Sequence, residues 1–133
     1  MKIKFLVVLA MLLVGFMPSY VMANGVVVTG SKNTASSLDR DGVRRIFLGR
    51  EQGAVVVFSN SPVRAAFESS VLDKSPSEFK SLWSRLVFTG RAKVPKERST
   101  DAEVKSFLAL SPSAYGYMHE DSVDSTVKVV YRF

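Results

Sequence analysis

FSNSPVRAAF, Phe58–Phe67, follows the apolar run Ala54-Val55-Val56-Val57 and opens a second kind of pattern. An apolar run of this length before a turn reads as a short buried strand, Ala54 to Phe58. From Pro62 to Leu72 the period changes, and Val63, Ala66, Phe67 and Val71 fall on one helical face. The stretch is a strand-to-helix junction, and that junction decides the class of fold. Ser61 is placed to cap the helix. Pro62 suits the first helical position, where its missing N–H has no intrahelical partner to lose. The free N–H groups of Val63 and Arg64 would then point outward with the helix dipole. Two readings follow: an ordinary helix start, or a seat for an anion.

The same alternation runs outward in both directions. Gly25–Thr29 reads as a buried β-branched strand ended by Gly30-Ser31. From Ser37 a helix carries Leu38, Val43, Ile46 and Phe47 inward, with Gly49 placed to stop it. Ser75-Pro76-Ser77-Glu78 has the pattern of a capping box, followed by the stripe Phe79, Leu82, Trp83, Leu86 and the stop Thr89-Gly90. On that stripe Trp83 is expected in the core. After the polar stretch Arg91–Arg98 comes a helix near Asp101–Leu110, with Val104, Phe107 and Leu108 inward. Ala114–Met118 and Thr126–Phe133 read as the last two strands. Strands alternating with helices in one chain specify an α/β layer architecture.

Lys2 and Lys4 precede an apolar run from Phe5 to Met17, then Pro18 and Val21-Met22-Ala23. A basic start, an apolar core and small residues at the −3 and −1 positions describe a secretory signal peptide, residues 1–23, cleaved after Ala23. Residues 24–133 then form one domain in the periplasm. The chain has no cysteine, which excludes thiol chemistry, cysteine-bound zinc and a lipid anchor on the mature start. The net charge is +6, with two of the lysines in the leader and the rest spread in ones and twos. That spread argues against nucleic acid and leaves a small anion or an acidic partner surface open.

An enzyme is not expected. The one histidine, His119, lies in a polar turn with Glu120 and Asp121, with nothing to pair it to a nucleophile. There is no Gly-x-Ser-x-Gly elbow and no Walker loop, and no cofactor or metal is implied. Ligands of open α/β sheets sit where strands end and helices begin. The candidate ligand-binding residues are therefore Ser59, Asn60, Ser61 and Arg64, the last offering a planar donor fork for phosphate or carboxylate.

Arg45-Ile46-Phe47-Leu48-Gly49-Arg50 resembles the "IFLGK" segment of periplasmic phosphate-binding proteins of ABC importers. Ser61–Phe67 resembles the serine-rich helix start of that family, usually built on Gly-Ser-Gly-Thr. Trp83–Gly90, Val94-Pro95 and Ala114-Tyr115-Gly116-Tyr117 are similar to a small single-lobe, phosphate-binding-like branch. The resemblance implies a single lobe of a type II periplasmic-binding-protein-like fold, a small mixed sheet flanked by helices. It also implies a phosphate-like anion as ligand. A membrane transporter, a porin or a sensor is the implied partner, and a homodimer would supply the missing wall. Asn60-Ser61-Pro62-Val63 stands in place of the Gly-Ser-Gly-Thr core, so Ser61 is the matched position and Arg64 a substitute. The alternative reading is a periplasmic adaptor whose former ligand crevice is a protein interface.

Overall fold

The computed structural model describes residues 24–51 and 54–133. The proposed signal peptide lies outside the described residues. Among the described residues, five strands are interspersed with four α-helices. They are β1 (Gly25–Gly30), α1 (Arg40–Phe47), β2 (Val57–Ser59), α2 (Val63–Ala66), α3 (Pro76–Phe88), β3 (Lys96–Arg98), α4 (Asp101–Leu110), β4 (Tyr115–His119) and β5 (Val127–Arg132). β1 lies between β4 and β5, antiparallel to both, while β2 and β3 pair in parallel. A parallel bridge between Val56 and Tyr115 joins the two sets, giving the order β3-β2-β4-β1-β5. The expected small mixed sheet is present.

Period-two alternation sends successive β1 side chains to opposite faces. Val27 enters a core with Val43, Phe47, Phe67 and Trp83, so α1, α2 and α3 cover that face. Val26 and Val28 enter a second core with Val104, Leu108 and Met118, so α4 covers the other. Trp83 is buried as its stripe requires, and its indole N–H donates to Phe47 O at 3.1 Å.

Differences from the sequence reading have local causes. The first helix begins at Arg40 rather than near Ser37, because the N–H of Leu38 donates to Val130 O in the sheet. Asp39 is the cap, accepting from Gly42 N at 2.7 Å. The capping box of α3 forms as read, Ser75 accepting from Glu78 N and Glu78 accepting from Ser75 N. β3 was not expected. It is a short charged edge strand, Lys96-Glu97-Arg98, with no apolar alternation to reveal it.

Candidate functional site at the end of the second strand

β2 delivers Ser59 into the interior. The Ser59 hydroxyl accepts from Ser61 N at 3.3 Å, and its carbonyl accepts from the Tyr117 hydroxyl at 3.2 Å. Asn60 N donates to Arg98 O at 3.1 Å, continuing the parallel ladder one residue past the strand. These bonds fix the direction in which the chain leaves the sheet.

The turn then departs from the expected geometry. Pro62 is itself helical, at φ −57° and ψ −22°, and occupies the cap position, where it has no side-chain acceptor. Ser61 therefore does not cap, and its hydroxyl oxygen is buried without a hydrogen-bond partner. Arg64 N, expected free, donates to Ser61 O at 3.0 Å. The helix runs only to Ala66 before a π-helical turn, Phe67–Val71, carries the chain on. That wider turn keeps Phe67 and Val71 in the core and buries Glu68 with them.

Arg64 is half-buried and its donors are taken. Its Nε donates to Glu68 at 2.9 Å and its Nη1 to Asn60 Oδ1 at 2.7 Å. Both Nη atoms lie 3.3 Å from one oxygen of Glu97. The guanidinium also lies over the Phe58 ring, 5.5 Å from its centroid. Partial burial opposes its charge, but the bond to Glu68 and the electrostatic influence of Tyr117, Glu68 and Glu97 outweigh that. Its pKa is raised above the ordinary arginine value. Burial pushes the Tyr117 phenol well up, with Arg64 and the bond to Ser59 pulling weakly the other way. Both groups keep their protons at any physiological pH.

The four candidate residues thus share one corner, tied by Arg64 to α2 on one side and β3 on the other. The side chains of Glu68 and Glu97 both face the one guanidinium. Glu68, four residues after Arg64 on a helix, was legible as its partner. Glu97 was not, because its place depends on the unexpected β3. Beside the corner runs a groove of about 940 Å³ along α3, walled by Phe58, Phe79, Trp83 and Phe88, with Glu97 at its rim. His119 caps its own turn, its Nδ1 accepting from Asp121 N at 3.1 Å. Among the described residues no cluster of histidine and acidic side chains has the make-up of a metal site.

The chain is similar to an ABC-type phosphate transport receptor from Vibrio cholerae, at 20% identity and TM-score 0.61, covering 81% of this chain and 46% of that one. The chain shares the fold of part of that receptor. A putative phosphate ABC transporter substrate-binding protein with bound phosphate, from Clostridium perfringens, aligns at 19% identity and TM-score 0.63, over 81% and 45% of the two chains. PstS from Borrelia burgdorferi aligns at 12% identity and TM-score 0.59, over 81% and 47%. The aligned part of this chain therefore covers less than half of each of these receptors. No family model and no curated protein matches the sequence.

Proposed function

We propose that this chain is an exported, non-catalytic binding protein, a single phosphate-receptor lobe whose corner at Ser59, Asn60, Ser61 and Arg64 takes a small oxyanion weakly. The observation that carries this reading is the buried, unpartnered hydroxyl of Ser61, three residues before a guanidinium, on this fold. A buried hydroxyl without a partner is uncommon, and a ligand oxygen would satisfy it. Weakness follows from Glu68 and Glu97, which already hold the donors that an anion would need. The structures of similar fold are phosphate receptors by description, which supports phosphate as the first ligand to try.

The reading includes removal of residues 1–23 after Ala23 and residence in the periplasm. A membrane transporter is the partner such a lobe would serve, and a second copy of the chain is a candidate for the missing wall. Calorimetric titration with phosphate and sulfate tests it. Glu97→Gln removes a competing carboxylate and should tighten phosphate binding several-fold, while Ser61→Ala should weaken it. If neither the wild type nor Glu97→Gln binds either anion at millimolar concentration, the reading fails. A second reading, a periplasmic adaptor or sensory partner, is favoured by the open aromatic groove beside the corner.

A further inference from the structure

From Lys80 to Lys96 the chain carries Lys80, Arg85, Arg91, Lys93 and Lys96 and no acidic residue. None of these five side chains meets a carboxylate among the described residues, whereas Arg45, Arg64, Lys105 and Arg132 each do. In sequence the five are scattered, but the fold gathers three of them. Arg91, Lys93 and Lys96 line a second depression beside Val55 and Val94. Glu51 lies there too, with its carboxylate 4.0 Å from Arg45. Val94 also borders the aromatic groove and so joins these cations to Phe88.

Phe88 is 92% exposed and Val94 68% exposed. Phe88 ends α3, and Gly90, at φ 71°, turns the chain directly after it. Two large apolar side chains held in water and edged by unpaired cations match a surface that is anionic outside and apolar beneath. We propose that the tip from Phe88 to Lys96 docks on an anionic phospholipid surface. Phe88 and Val94 enter the headgroup layer, and Arg91, Lys93 and Lys96 meet lipid phosphates. Two exposed apolar side chains edged by three unpaired cations are what shallow insertion beneath an anionic headgroup layer requires.

Co-sedimentation with vesicles tests the proposal, using the chain from Asn24 onward, which contains every described element of the fold. Vesicles of phosphatidylcholine with one-third phosphatidylglycerol should bind it at low salt and release it at high salt. Arg91→Gln with Lys93→Gln should weaken binding roughly thirty-fold, at about five-fold per charge. Phe88→Ser should weaken it about ten-fold without lowering the thermal midpoint, because the side chain is already in water. Lys32→Gln with Lys74→Gln removes the same charge elsewhere and should change binding less than about three-fold. The proposal is overturned by equal binding to phosphatidylcholine alone, by no binding at low salt, or by equal losses from the two double variants. Capture of an acidic protein by the same tip, with no vesicle binding, also overturns it.

Discussion

Arg64→Ala is the perturbation on which the account of the corner rests. On sequence grounds a surface arginine beside a helix start contributes little to folding, and its loss would be felt only in ligand affinity. The structure reverses that expectation. The Glu68 side chain is 5% exposed and depends on the Arg64 Nε, 2.9 Å away, for its compensating charge. Removing one member of a buried pair strands the other, and the usual loss is about 3–5 kcal/mol. Arg64 is 27% exposed on the open side of the groove, so water will reach the stranded carboxylate. The expected loss is therefore discounted to about 2–3 kcal/mol. The contact with Glu97, whose side chain is 58% exposed, adds at most about 1 kcal/mol. In a domain of this size the sum corresponds to a fall in thermal midpoint of roughly 10–15 °C. Urea unfolding of the single variant and of Arg64→Ala with Glu68→Gln would measure it. The second change should restore more than about 1 kcal/mol by removing the stranded charge. A loss below about 1 kcal/mol in Arg64→Ala, with no recovery in the double variant, refutes the pairing argument.

Ser61→Ala should leave stability unchanged or slightly raised, since its hydroxyl has no partner to lose, and a loss near 1 kcal/mol in urea unfolding would show it caps after all. Trp83→Ala should lose about 3–5 kcal/mol by the same assay, as it empties a core site and orphans the Phe47 carbonyl. Gly49→Ala should destabilise more than Gly90→Ala: both glycines sit at φ 71°, but only at Gly49 would the new methyl meet Leu86, at 2.5 Å. Asp124 is held down to about 2 by hydrogen bonds from Thr126 and then Lys105. Its folded pKa lies below the unfolded one, so its contribution is complete above about pH 4 and fades as pH falls toward 2. A carboxyl titration by NMR should show the low midpoint in the wild type and a rise in Thr126→Ala.

The parts of the fold that were legible are those whose physics is local. Ser75, Pro76 and Glu78 mark the start of α3 by side-chain chemistry alone, and the Phe79–Leu86 stripe fixes which face is buried. Likewise Val26, Val27 and Val28 announce a strand covered on both sides, which the two cores confirm. What was not legible depends on pairing across the chain. β3 carries Lys96, Glu97 and Arg98, so nothing in its composition separates it from a loop. Glu97 can be placed beside Arg64 only once β3 is laid against β2. The Ser61 hydroxyl escaped for a related reason, since Pro62 adopts helical angles and moves the helix boundary one residue on. The four candidate residues lie together because they are near neighbours in sequence, whereas Glu97, the second carboxylate on Arg64, came from the tertiary fold.

The order of strands also has a kinetic consequence. β1, the first of the described elements, lies between β4 and β5, and Gly25 and Phe133 exchange backbone hydrogen bonds at 3.2 and 2.9 Å. The strand at the centre of the three thus emerges first and waits for nearly the whole chain before either neighbour exists. Such long-range closure slows folding, and refolding on a scale of about milliseconds to seconds is expected rather than microseconds. Under the proposed export the same delay is an advantage, because a chain without its last strands cannot close a sheet that would obstruct threading. Stopping the chain before Val127 should leave a protein with no cooperative unfolding transition. A truncated form that unfolds with the full-length midpoint would show instead that β1 and β4 suffice.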